Sequence, residues 1–301
     1  MRLRQIEDFV AVVESGSIRA AARKLGLSQP AITKSMRRLE VELKSQLLQR
    51  TPRGVVPTPS GRAFFARARA AQAELRKAEE EVSQIGGGGA GSVAFGVVPA
   101  AIPVVPQAVV RFRQQFPRAR LRILEGYTHT LLPLVRDETL DMALGVRFDP
   151  NLDPALTFRP LFRFEYAVVA RKGHPLRSAR SLAELADSGW ISLTPSGSPG
   201  GPLDRAFSSA GLPEPHQMVR CESHNIAVAM LAKTDMVGIM SRRMLSDPLT
   251  RDFIHEIAVG DAMPSYTVGI FARADPPLTP FAAAMAKAAT AAARELASRA
   301  S

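Results

Sequence analysis

Gln29, Thr33 and Arg37 fall four residues apart, so on a helix they form one stripe, with Lys34 and Arg38 beside it. The chemistry of that stripe is specific. An amide such as Gln29 can pair bidentately with adenine, the Thr33 methyl can meet a thymine methyl, and Arg and Lys suit guanine or phosphate. Gln29 and Thr33 also lie toward the helix start, the end that usually meets base edges. The plainer alternative is a solvated basic face on an ordinary helical pair.

Two short helices must present that stripe. Ile18, Ala21, Ala22 and Leu25 recur at helical spacing, and Ile32, Met36, Leu39 and Leu43 do so again. Between them, Gly26 can take the positive φ that ends a helix, and Ser28 can cap the next. Pro30 falls in the first turn, where a missing N–H costs nothing. This is a helix-turn-helix. Leu3, Ile6, Phe9, Val10 and Val13 give an earlier helix its buried face, Gly16 breaks it, and Ser17 caps its successor. Leu47–Arg50 and Val55–Thr58 read as two strands turning at Arg53-Gly54, a wing whose Arg50 and Arg53 can reach phosphate or a minor groove.

These residues carry a resemblance. Phe9, Gly16-Ser17, Ala20-Ala21-Ala22, Leu25, Ser28-Gln29-Pro30-Ala31, Ile32, Arg38-Leu39-Glu40, Leu47-Leu48, Arg50 and Thr58 to Gly61 follow the pattern of the LysR-type bacterial transcriptional regulators. The chain resembles that family densely over about its first sixty residues. Pro57 departs from it, standing where the family usually has an apolar residue, and implies an edge position in the wing. The DNA-contacting set is expected to be Ser28, Gln29, Pro30, Thr33, Lys34, Arg37, Arg38, Arg50 and Arg53.

Charge points the same way. Residues 1–72 carry 14 Lys/Arg against 5 Asp/Glu, or +9 of the total +11. A basic first quarter joined to a nearly balanced remainder suits a nucleic-acid-binding module on a globular partner. A membrane-surface role would need an exposed apolar face, and here the apolar faces are used in the helical core. No run of about 18 apolar residues predicts a membrane span, and no signal-peptide pattern opens the chain. The single Cys221 excludes an intrachain disulfide and fits a reducing compartment. A cytoplasmic protein is expected.

Beyond the wing, Ser60 is expected to cap a helix reaching about Ile85. Phe64, Ala68, Ala71, Leu75, Ala78, Val82 and Ile85 alternate spacings of four and three, a heptad seam. Self-association along it is the stronger reading; a single helix lying on its own domain is the other. The resemblance identifies it as the family's linker helix, pairing two subunits, and implies tetramers built from two dimers. Gly86 to Gly91 reads as a joint. A phosphate loop is excluded by context, since a helix precedes it and a strand follows.

From Ser92 the pattern becomes βαβαβ: a strand at Val93–Val97, a helix through Val105–Phe116, a strand at Leu121–Ile123, a helix at Leu131–Val135 and a strand at Leu140–Val146. A parallel sheet follows. A second alternating set starts near Phe162, with strands near Tyr166–Ala170, Trp190–Leu193, Met218–Cys221 and Met236–Met240. Strand-like Tyr266–Phe271 then precedes an alanine-rich terminal helix. Two α/β units leave a cleft where small ligands bind at strand carboxyl ends. The resemblance, carried here by Phe112, Phe116-Pro117, Glu125-Gly126, Leu140-Asp141 and His174-Pro175-Leu176, implies a periplasmic-binding-protein-like effector domain of two α/β subdomains. The expected division is a winged helix-turn-helix at 1–59, linker helix and glycine joint at 60–91, and effector domain at 92–301. Within the last, subdomain I covers 92–161 and 267–301, and subdomain II covers 162–266.

Segments following strands supply the expected wall of the cleft, Pro99–Ala101, Tyr127–His129, Val146-Arg147, Thr194–Ser198 and Ser223-His224, and within it the expected effector site: Pro99, Ala100, Ala101, Thr128, His129, Arg147, Thr194, Ser196, Ser198, Ser223 and His224. In the family the loop at 99–101 often carries a hydroxyl that holds an acidic group, which Ala100 and Ala101 cannot supply. Acid recognition is then expected to shift to Thr128, Arg147, Ser196 and Ser198, and the effector to be anionic or strongly polar. For Arg147 the alternative is an ordinary solvated arginine. No enzyme constellation is present. The five histidines have no short paired spacing for a metal, Ser198 is outside any G-x-S-x-G elbow, and Cys221 reads as buried and inert. No cofactor is expected. The chain reads as a transcriptional regulator whose partners are double-stranded DNA, a small-molecule effector and itself. The competing reading is a DNA-binding architectural protein whose second half only docks and binds no effector.

Overall fold

The computed structural model describes residues 1–52, 54–85, 91–148, 152–193, 201–248 and 250–298. It opens with three helices, α1 (Leu3–Ser15), α2 (Ile18–Leu25) and α3 (Gln29–Glu42), followed by a hairpin of β1 (Leu48–Thr51) and β2 (Gly54–Pro57). Gly16 and Gly26 end α1 and α2 with φ of 60° and 66°. The Ser17 and Ser28 hydroxyls accept from the N–H groups of Ala20 and Ala31 at the next helix starts. Phe9, Val12, Ala21, Ile32, Leu39 and Leu47 close the shared core.

The wing hairpin is held from two sides. Glu40 accepts from the N–H groups of Leu47 and Leu48 at 2.8 and 3.0 Å. Val55 N–H donates to Gly16 O at 2.8 Å. Gly54 is required there: its φ is 129°, and a Cβ would stand 2.4 Å from Gly16 O. Pro57 pairs with Leu48 at the end of this two-stranded sheet, where its missing N–H costs no ladder bond.

The long helix α4 (Pro59–Ile85) begins earlier than a Ser60 cap would allow. Thr58 takes that role: its Oγ1 accepts from Gly61 N–H at 3.0 Å and donates to Gln46 O at 2.7 Å. Pro59, with φ preset for a helix, fills the first position.

Among the described residues, the rest is a nine-stranded sheet flanked by helices. Its first part holds β3 (Ser92–Val97), a 3-10 turn (Pro99–Val104), α5 (Val105–Gln115), β4 (Arg120–Glu125), α6 (Thr128–Arg136) and β5 (Met142–Arg147). Two long strands follow in space, β6 (Leu156–Arg171) and β11 (Ser265–Arg273). The second part holds β7 (Trp190–Ser192), α7 (Pro202–Ser209), β8 (Met218–Arg220), α8 (His224–Lys233), β9 (Val237–Ser241) and β10 (Ile254–Ile257), with α9 (Pro280–Ser298) returning to the first part. The order is β4-β3-β5-β11-β6-β9-β7-β8, with β10 beside β6.

The expected parallel sheet holds for β3 with β4 and β5, and for β7 with β8 and β9. At the centre the pairing is antiparallel: β11 runs antiparallel to both β5 and β6, and β6 antiparallel to β9. The two crossing strands therefore belong to both parts. β6 starts six residues before Phe162, and β10 has no counterpart among the sequence expectations. Pro160 interrupts the alternation of β6, and the register shifts opposite it, between Val268 and Gly269. A Cβ on Gly269 would lie 2.5 Å from Arg159 O, so the irregularity needs glycine.

Asp141 and His174 tie down chain turns. Asp141 accepts from Ala94 N–H at 2.8 Å. His174 Nδ1 accepts from Leu176 N–H at 3.1 Å, which leaves Nε2–H facing Asp235 O at 3.1 Å. Cys221 lies just past β8 rather than within it and is half-buried, its Sγ donating to Ser223 O at 3.3 Å. Among the described residues no helix is long and apolar enough to cross a membrane.

Candidate nucleic-acid interface and ligand cavity

The inward face of α3 is Ile32, Met36 and Leu39. Burying it turns Gln29, Pro30, Lys34, Arg37 and Arg38 outward, all exposed. None of the three basic side chains is paired with a carboxylate among the described residues. Thr33 is half-buried and its hydroxyl donates to Gln29 O at 3.0 Å. That bond occupies the O–H and leaves the methyl as the part of Thr33 not engaged in a hydrogen bond. Ser28 is spent on its cap and Pro30 on helix geometry. Arg50 lies on β1, its side chain beyond what is described, and Arg53 is outside the described residues.

The seam of α4 divides. Phe64 stacks edge-on against Phe9 at 5.2 Å, and Ala68 is buried in the same core. Ala71, Leu75, Ala78 and Val82 are exposed, Val82 by 71%. The winged domain thus claims the first turns of the stripe, and the rest lies bare along about three turns.

A cavity of about 420 Å³ opens between the two parts of the sheet. The ends of β3 and β5 and the start of α6 supply one wall; β7, β9 and the starts of α7 and α8 supply the other. Six expected residues meet there: Pro99, Ala100, Thr128, His129, Arg147 and His224. Ala101 does not, because it is fully buried in the first core. Ser223 points elsewhere, capping α8 through Ile226 N–H. Thr194, Ser196 and Ser198 lie outside the described residues.

The roles shift with the geometry. Thr128 Oγ1 accepts from Val146 N–H at 3.0 Å and lies 3.1 Å from Val146 O, to which it donates. It is a latch between α6 and β5 more than a free ligand group. Arg147 is exposed, its guanidinium 5.5 Å over the Phe158 ring. His129 is exposed and lies parallel to Tyr127 at 6.1 Å.

Tyr127, expected in the cleft wall, and residues outside the expected set complete the lining. Tyr127, Tyr166 and Ser241 bring polar atoms; Leu132, Leu156, Ile191, Leu203, Ile239, Met240 and Phe271 bring apolar wall. Burial pushes the Tyr127 and Tyr166 phenols up, so both stay protonated at neutral pH. Burial likewise pushes His224 down, toward the neutral imidazole. The signal for Ser241 was present: it is a polar residue at the carboxyl end of a strand.

A winged helix-turn-helix joined through a long helix to a two-part sheet with a central cavity is the architecture of a DNA-binding transcriptional regulator with a substrate-binding domain. The chain belongs to the LysR family of such regulators. Residues 3–62 match the bacterial regulatory helix-turn-helix protein, lysR family, and residues 86–294 match the LysR substrate binding domain. The transcriptional regulator GbpR of Azospirillum brasilense is 32% identical over 81% of this chain and 72% of its own. The regulator GalR of Pseudomonas putida is also 32% identical, over 86% of this chain; the match spans 64% of GalR, under two thirds of its length. The crystal structure of CbnR, a LysR family transcriptional regulator, has a TM-score of 0.73 at 20% identity, covering 97% of this chain and 99% of that one.

Proposed function

We propose that the chain regulates transcription by reading duplex DNA with α3 and its wing, as a dimer paired along the bare stripe of α4 and assembled further into a tetramer. Gln29 and Thr33 carry base readout; Lys34, Arg37, Arg38, Arg50 and Arg53 carry mainly phosphate contact. A small molecule in the cavity changes how the two DNA-reading units are presented. One observation carries this reading: the same chain holds a basic and amide face on α3, unpaired among the described residues, and a recessed, partly polar cavity where two crossing strands join the sheet. Such a cavity favours an effector over a purely docking second half.

The test starts by selecting tight-binding duplexes from a random pool, then measuring anisotropy with and without candidate ligands. A selected duplex should bind at least about 10³-fold tighter than random DNA, and a cavity ligand should shift that affinity. Equal affinity for all duplexes would end the sequence-specific reading. The expectation of an anionic effector rests, among the described residues, on Arg147. Loss of a carboxylate's effect on DNA affinity in Arg147→Ala would support it.

A further inference from the structure

Three residues that line the cavity each carry a buried side-chain polar atom with no partner among the described residues: Tyr127 Oη, His224 Nδ1 and Ser241 Oγ. His224 is 5% exposed and Ser241 3%, so both are polar groups taken out of water. Native proteins rarely leave such groups unmatched, and a cluster of them on one apolar cavity marks where a ligand's own polar groups go.

The charges nearby lie differently. Arg136 is ion-paired with Asp153. Arg147 is exposed and stacks on Phe158. His129 is exposed, and His224 is held toward its neutral form by burial. The segments 149–151 and 194–200, which adjoin lining residues in sequence, contain no Lys or Arg. The buried wall thus offers neutral hydrogen-bonding groups among aliphatic and aromatic side chains. Moving a carboxylate into such surroundings without a buried cation is unfavourable, whereas a hydroxyl or carbonyl exchanges its water bonds for these.

Resting on the reading of this cavity as the effector site, we infer that the effector is an uncharged, largely apolar small molecule, aromatic or aliphatic, whose carbonyl and hydroxyl groups bind Tyr127, His224 and Ser241. This departs from the anionic expectation. Tyr127 Oη donates to a carbonyl oxygen; Ser241 Oγ and His224 Nδ1 either donate or accept, according to hydroxyl orientation and tautomer.

Matched pairs test the inference on the full-length protein at pH 7.5 by thermal shift and calorimetry. The pairs are benzoate with methyl benzoate, 4-hydroxybenzoate with its methyl ester, and decanoate with 2-decanone. The neutral member of at least one pair should raise the melting temperature and bind at least tenfold tighter than its acid. Tyr127→Phe and Ser241→Ala should each weaken that binding about five- to tenfold. Both variants should keep the ligand-free melting temperature, which separates lost recognition from lost folding. An acid that binds as tightly as its neutral partner overturns the inference and leaves the cavity standing as an effector site. Failure of every pair to shift the melting temperature counts against the effector site itself, and the inference falls with it.

Discussion

The candidate reading helix α3 and the candidate ligand cavity are built in opposite ways. On α3 the functional groups come from ten consecutive residues, and the fold has only to turn one face of a helix outward. In the cavity they come from the ends of β3, β4, β5, β7 and β9 and the starts of three helices, up to about 140 residues apart in sequence. The first surface is basic and exposed, suited to a polyanion in water. The second is mostly apolar and recessed, so its buried polar atoms stand against a low-dielectric wall. A change of one residue on α3 removes one contact. A change in the cavity alters a shape to which many segments contribute.

The sharpest test of this contrast uses the two cores beneath the two surfaces. Phe9 and Trp190 are each fully buried, in different clusters, and truncating either to Ala should cost about 3–5 kcal/mol. Phe9→Ala should abolish duplex binding and preserve ligand-induced thermal shifts; Trp190→Ala should do the reverse. If either variant loses both properties, the two regions unfold as one unit and the contrast collapses.

The next effect concerns assembly. Leu75 is 45% exposed on α4, and Leu75→Asp would place an unpaired charge on the proposed seam. A buried charge without a partner costs several kcal/mol, so sedimentation at micromolar concentration should show a lower mass. An unchanged mass would place the dimer contact elsewhere. Gln29→Ala should cost about 1–3 kcal/mol on a selected duplex and little on random DNA. Equal losses on both would reduce α3 to a phosphate-binding face.

The smallest expected effect lies where the regions touch. Arg273 at the end of β11 reaches Glu74 of α4 at 3.5 Å, and Arg69 Nη2 donates to Thr139 at 2.8 Å. Glu74 is partly solvated, so Glu74→Gln should change thermal stability by less than about 1 kcal/mol. A larger loss in calorimetry would mean that this contact binds the two regions firmly.

Local signals made the first region legible. Gly16 and Gly26 had to supply positive φ, Ser17 and Ser28 had oxygens one turn from unsatisfied N–H groups, and the apolar period named the core. Even there Thr58 displaced Ser60 as the cap of α4, because Pro59 lets the helix begin earlier. The strands of the second region were visible as apolar runs, and their partners were not. Pro160 hid the first half of β6, and the antiparallel place of β11 between β5 and β6 depends on pairing across more than 100 residues.

By itself, then, the sequence determined the helices, their caps, the basic reading face and the strands that carry the cavity, since each is set by neighbours within a turn or a strand. The tertiary structure decided which side chains share the cavity. It sent Ala101 into the core and Ser223 to a helix cap, spent the Thr128 hydroxyl on Val146, and brought Tyr127 and Ser241 onto one lining. Those assignments follow from strand register and from which backbone groups need a partner once buried, and both are fixed only when distant segments meet.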